Sequence, residues 1–563
     1  MTVCNDLSVN ANTKARYARL DIAEKVVDIK SALNKNRNKS EAARSVGVPR
    51  STARYWLNRK AKTGLSPDAI AFFESPAGTV VLHQLTIAAQ FAITQLAGGG
   101  VDIYAQFLEL SLLDRLVASS HGTLHEQNVA MEDAINQFGL QERQTLAAQM
   151  PEKEISVCED ETFHPEICLV AIEPVSNFIL VEEYSEKCDS ATWTAAINRA
   201  ISDLRVKIIQ STSDEGTGLV KHATKDLEVH HSSDLFHGLQ EITRAISAPF
   251  NSKIKQAVAA LDESKMSLVG LENELKKYTR TNQSPPDSWT GLDQKITNAE
   301  ENIAIKFEEL QEVTQLQDDA KEAKIELGKI YHPYDLNTGT PQPVEIIKEL
   351  IESKLTKIEL AAIDAQLPER SMDRLKKARR VFNLMMSTIV FYWATVARYV
   401  TELGLSPELT ALMNDVLIPG LYLQKASKKA KSAAERKRLA KLASELLARL
   451  DIAEVWCNLP PAQCDRIRAV AHQCAQLFQR SSSCVEGRNG YLSLRHHSSH
   501  LLSKRKLGAL TVIHNYFIKR SDKTTAAERF FESKPSDLFE YLLGNLDIAT
   551  RPAAKRRDIK MAA

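Results

Sequence analysis

At 563 residues, with a formal net charge of +1, 44% apolar and 25% charged residues, the chain has the composition of ordinary folded protein, which excludes a disordered chain or a uniformly basic coat. That length predicts roughly three to five domains rather than one core. Eight cysteines, at 4, 158, 168, 188, 457, 464, 474 and 484, include no C-x-x-C pair, so a disulfide scaffold is excluded. With no signal-peptide pattern, a reducing cytoplasmic compartment is the expectation.

Residues 1–70 are expected to form a basic DNA-binding domain. Within them Ser40 to Leu57, SEAARSVGVPRSTARYWL, has the pattern of a helix-turn-helix. Ser40 is expected to cap the first helix and small Ala43 to permit close crossing. Gly47 makes the turn, and Val46, Val48, Ala53 and Trp56 form a buried seam. The second helix then presents Arg50, Ser51, Arg54 and Tyr55, types suited to guanine edges and phosphates in a major groove. A basic module that binds protein is the competing reading. Residues 71–150 read as a helical linker or second DNA-binding domain, with helices expected over 102–116 and 124–138.

Residues 151–250 change character. Short β-rich runs, Ile155 to Asp160, Glu166 to Glu173 and Asn177 to Tyr184, are separated by His164, Pro165 and Pro174, as in an antiparallel meander. The first ends in Glu159, Asp160 and Glu161, and acids at a buried strand end require partners or a cation. An amphipathic helix over 190–204 and a strand from Val206 to Ser211 lead to Asp214, followed by glycines that permit close approach. A fifth strand is expected from Leu227 to His230, then a helix. Strand, strand, strand, helix, strand, helix, strand, helix is the element order of a ribonuclease H-like α/β core with a mixed five-stranded sheet.

Residues 251–480 read as a large all-α insertion. Ile254, Val258, Leu261, Leu268, Leu271 and Leu275, then Leu292, Ile296, Ile303, Phe307 and Leu310, lie near coiled-coil spacing on either side of a break at Ser284 to Ser288, predicting a helical hairpin. The apolar run from Val381 to Val400 contains Arg398 and fits a bundle helix better than a membrane span. The basic run from Lys425 to Lys441 is either a DNA-facing surface or a solvated helix face. Residues 481–545 return a carboxylate, Glu486, amid polar residues just before a helix-forming stretch, and 546–563 form a basic tail.

Asp160 in CEDET, Asp214 in SDEG and Glu486 in VEGRN resemble the catalytic triad of bacterial insertion-sequence DDE transposases. The resemblance covers residues 155–245 and 480–530, and the long gap before Glu486 resembles the helical insertion that some members carry. It implies two Mg²⁺ ions, with Mn²⁺ as substitute, Asp160 bridging both and Asp214 and Glu486 holding one each. Water attack nicks the element end, and the freed 3′-hydroxyl joins target DNA. It also implies double-stranded DNA, as element ends and target, for a homodimer or higher oligomer in a nucleoid-associated setting without membrane. Asp234 and His237 resemble a further family feature; Asp234 is read equally as a helix cap. Arg488 and Asn489 either contact DNA phosphate or tie down a loop.

Rival readings are weaker. Histidines 230, 231 and 237, or 496, 497 and 500, lack zinc-module spacing, and no P-loop, G-x-S-x-G or H-E-x-x-H is present. A non-catalytic DNA-binding coiled-coil scaffold leaves three separated acids unexplained. A nuclease on the same core, without strand transfer, is the third reading.

Overall fold

The computed structural model describes residues 19–35, 38–58, 66–163, 165–280, 290–499 and 502–548. The expected turn at His164, the break at Ser284 to Ser288, His500 and the basic tail from Arg551 lie outside them. The described residues are mostly helical, around one mixed, open sheet of five strands.

Three helices come first: α1 (Arg19–Asn34), α2 (Lys39–Ser45) and α3 (Arg50–Asn58). Ala43, Val48, Ala53 and Trp56 are buried together with Val26 and Ile29, while Val46 is only half-buried. Gly47 turns the chain at φ +68°, a region that penalises any side chain with a Cβ. The cap of α2 is Asn38, not Ser40: its Oδ1 accepts from Ser40 and Glu41 backbone N–H at 3.0 and 2.9 Å, and Glu41 returns a bond to the Asn38 N–H at 3.2 Å. Glu three residues after Asn38 completes a capping box, which decides between two good cap formers.

Next come α4 (Pro67–Phe73), α5 (Pro76–Gln90), which continues through a π turn at Phe91–Leu96, α6 (Val101–Leu110) and α7 (His121–Gln149). The first member of the expected pair stops at Leu110 and the second runs on to Gln149. This segment is no spacer. Ile87, Phe91, Met131, Ile135 and Phe138 share one core with Ile155, Val157 and Leu169 of the sheet. Among the described residues Pro76–Leu96 alone has the length and apolarity of a membrane span. Its Ile87 and Phe91 are spent on that core.

The sheet is built from β1 (Lys153–Phe163), β2 (Ile167–Glu173), β3 (Phe178–Ser185), β4 (Val206–Ser213) and β5 (His230–Ser233), in the order β3-β2-β1-β4-β5. The first three are antiparallel, and β4 and β5 run parallel to β1. Between them lie α8 (Ser190–Ile201) and α9 (Thr217–Lys221). Two boundaries differ from expectation. β1 continues beyond Asp160 because Glu161, Thr162 and Phe163 pair with Leu169, Cys168 and Ile167. β5 starts three residues late because Leu227 and Val229 N–H groups close a helical turn on His222 and Ala223 carbonyls, so pairing with β4 begins at His230.

From β5 the chain enters α10 (Leu235–Arg280) directly, and α11 (Thr290–Ile330) returns along it. Leu261 and Leu292 are buried in this hairpin, but Val258 and Phe307, expected in its seam, are 39% and 48% exposed. Seam contacts there are partly polar: Asn302 bonds Ser264 and Gln317 bonds Asn251. The insertion continues as α12 (Val344–Asp364), α13 (Glu369–Glu402), α14 (Pro407–Leu412), α15 (Ile418–Lys429), α16 (Ala433–Leu447), α17 (Glu454–Cys457) and α18 (Pro461–Leu477). It leans on β5 through His230, stacked on Phe391 at 4.5 Å, and through Thr388, which bonds Ser232 at 3.0 Å. Finally α19 (Ser483–Ser499), α20 (Lys504–Tyr516), α21 (Ala526–Phe531) and α22 (Leu538–Asn545) return to the sheet, with Val485 and Leu492 of α19 packed on Cys158, Val170 and Ile172.

Candidate active site

The parallel pairing of β1 and β4 sets two acids at one edge of the sheet. Cys158 pairs with Thr212, so Asp160, two residues on in β1, is level with Asp214, which follows the last residue of β4. Ser213 pairs with Ser233, so Asp234 leaves β5 at the same edge. Carboxyl ends of neighbouring parallel strands are where open α/β sheets take ligands.

Glu486 reaches this edge from the far side of the insertion, whose two ends are bonded together. The Leu235 N–H donates to the Arg480 carbonyl at 3.0 Å, and the Ser482 hydroxyl donates to Asp234 at 2.5 Å across 248 residues of sequence. Asp234, fully buried, also accepts the Phe236 N–H at 2.7 Å. It therefore caps the start of α10 and fastens the start of α19 at once. One turn into α10, His237 lies 3.6 Å from Glu486 and 3.7 Å from Asp234.

Asp160, Asp214 and Glu486 are each half-buried, and they act on one another. Burial, then the charges of Glu486 and Asp214, push the Asp160 carboxyl up to about 7. Burial also raises Glu486; His237 opposes this, while Asp234 and Asp214 add to it. Among the described residues no Lys or Arg pairs with any of these three acids. Half-buried carboxylates are hard oxygen donors of the type that could hold a divalent ion such as Mg²⁺, with the His237 imidazole as the basic group beside Glu486.

The pleat separates Asp160 from its neighbours, since adjacent strand residues point to opposite faces. Glu159 is fully buried against Ser211 and against His222 Nε2 at 3.3 Å. Glu161 accepts the Trp193 indole N–H at 3.0 Å. Both are satisfied on the α8 and α9 side. Asp160 instead meets α19, where Asn489 Nδ2 donates to its Oδ2 at 2.8 Å; its Oδ1 accepts the Glu161 N–H at 2.9 Å.

Two residues expected either to contact DNA phosphate or to tie down a loop have internal partners. Arg488 is buried and makes a two-pronged pair with Glu182 of β3 at 2.6 and 2.5 Å, so it ties α19 to the sheet and offers nothing to phosphate. Asn489 serves Asp160. Arg50, Ser51, Arg54 and Tyr55 are all exposed on one face of α3. Within the basic run, Lys425 donates to the carbonyls of Ala475, Gln476 and Phe478 at the end of α18, and Arg436 and Arg438 bond nearby carbonyls, so part of that charge is internal. The histidines 230, 231 and 237 go to separate partners, namely Phe391, Ser213 and Glu486.

Comparison with known families bears on the last part of the chain. Residues 413–558 match DUF6399, a family of unknown function. The match takes in Glu486 and Asn489 but neither Asp160 nor Asp214. No curated protein matches the chain.

Ser482 and Glu182 escaped the sequence reading. Each is an ordinary polar residue whose partner lies hundreds of positions away, and no local spacing signals either.

Proposed function

We propose that this chain is a DDE-type transposase, cutting DNA at the ends of a mobile element and joining it to target DNA with divalent cations. The observation that carries the reading is the parallel register that sets Asp160 level with Asp214 at the carboxyl ends of β1 and β4, with α19 brought to the same place by the Asn489–Asp160 bond and carrying Glu486 three residues before. The element order supports a ribonuclease H-like core interrupted by a helical insertion. When bound, Mg²⁺, or Mn²⁺ in its place, activates the attacking oxygen and stabilises the leaving oxygen of a phosphodiester.

Asp160 would hold the cations together with Asp214 and Glu486. Each of its oxygens already accepts one hydrogen bond, from Glu161 N–H or Asn489, which fixes the carboxylate and leaves one lone pair on each oxygen. Asp214 is fixed by the Gly216 N–H at 2.8 Å, and Glu486 by the packing of α19 on β1 and β2. Asp234 and His237 position the Glu486 helix rather than the reacting phosphate. The first three helices form the helix-turn-helix that holds duplex DNA through α3, and the α10 and α11 hairpin serves a homodimer that pairs two DNA ends in a cytoplasmic, nucleoid-associated complex.

The test uses duplex DNA carrying the inverted repeats that bracket this reading frame, with Mg²⁺. Cleavage at the repeat ends followed by a joined product is expected. Cutting without any joined product points to a plain nuclease, and no cutting with either Mg²⁺ or Mn²⁺ contradicts the enzyme reading.

A further inference from the structure

The two polar atoms of the Asn489 side-chain amide have different fates. Its Nδ2 donates to Asp160 Oδ2 at 2.8 Å, whereas its Oδ1 is buried and has no hydrogen-bond partner. A buried amide oxygen without a donor is costly to leave unmet, so the site retains an acceptor that a ligand could satisfy. The residue lies three positions after Glu486 on α19, hence on the same helix face. Leu492, a further three positions on, and Arg488 beside it anchor that helix to the sheet. Asn489 therefore cannot be displaced without moving the element that carries Glu486.

We propose that Asn489 is a positioning residue of the candidate metal site. Its Nδ2 holds the Asp160 carboxylate in the orientation that faces Asp214 and Glu486, and its Oδ1 gains a donor from the hydration shell of a bound divalent cation. The inference rests on the metal-dependent reading above. It assigns Asn489 to cation binding rather than to DNA contact.

Outer-shell partners of metal ligands commonly govern affinity by 10- to 100-fold. The test is calorimetric titration of the full chain with Mn²⁺ in the absence of DNA, for wild type, Asn489→Leu, Asn489→Ala and Asp160→Asn, each checked by thermal melting. Leu keeps the volume and removes both polar atoms of the amide; Ala serves if the Leu variant melts early. Both Asn489 variants are expected to lose Mn²⁺ affinity about tenfold or more while binding DNA through α3 as tightly as wild type. Wild-type Mn²⁺ affinity in a folded Asn489 variant, alongside loss of binding in Asp160→Asn, overturns the role of Asn489 and spares the metal site. Wild-type affinity in Asp160→Asn overturns the metal site itself. Loss of DNA affinity with Mn²⁺ binding intact returns Asn489 to the DNA interface.

Discussion

Arg488 of α19 and Glu182 of β3 form a buried, two-pronged ion pair, their side chains 5% and 0% exposed, with Thr511 adding a third bond to Glu182 at 2.6 Å. Removing one partner strands the other charge in the interior, which typically costs 3–5 kcal/mol. Arg488→Met is therefore expected to lose about that much in urea denaturation, with part recovered in the double variant Arg488→Met, Glu182→Leu. Unchanged stability combined with weaker DNA binding would restore Arg488 as a phosphate contact.

The carboxylate cluster opposes folding when no cation is bound. Asp160→Asn keeps the shape, removes one charge from beside Glu486 and Asp214, and is expected to raise the melting temperature of the cation-free protein by several degrees. Mg²⁺ should stabilise wild type and leave this variant nearly unmoved. A variant that melts below wild type without cation would contradict the repulsion inferred at this edge.

His514 sets a pH dependence remote from the acids. Burial, reinforced by Arg488, lowers its imidazole to about 4, and its Nε2–H donates to the Asn177 carbonyl at 2.9 Å. The folded state thus keeps it neutral, while the unfolded chain takes up a proton near pH 6.5. Its contribution is complete above about pH 6.5 and is lost as pH falls toward about 4, on the order of 3 kcal/mol in all. Denaturation across that window should show the loss, and His514→Gln should flatten it.

The exposed face of α3 makes a separate prediction. Arg50→Ala and Arg54→Ala are each expected to weaken duplex DNA binding and to reduce the salt dependence of affinity by about one unit of slope, while Mn²⁺ binding stays at the wild-type level. Wild-type affinity in the double variant would favour a protein partner for this module.

What could be read from sequence followed the range of the interactions. Asp160 and Asp214 stand out because strand periodicity and the glycines after Asp214 are local signals. The length of β1 does not, because its acidic end is held by pairing with β2 rather than by its own apolar pattern. Arg488 reads equally as a DNA contact or a structural tie because Glu182, its partner, is 306 residues away. Residues 71–150 read as a helical linker or second DNA-binding domain because the surface they cover belongs to strands that come later in the chain. The α2 cap was misplaced by two residues, although Glu41, three positions after Asn38, carried the local signal of a capping box.

The most direct measurement is Mg²⁺-dependent cleavage of duplex DNA bearing the flanking repeats by wild type and by Asp160→Asn, Asp214→Asn and Glu486→Gln. Loss of cleavage by a factor of about a thousand or more in every variant, with DNA binding retained, is the predicted result, because each removes a ligand of one shared centre. Full cleavage by any one of the three would contradict the assignment of that centre.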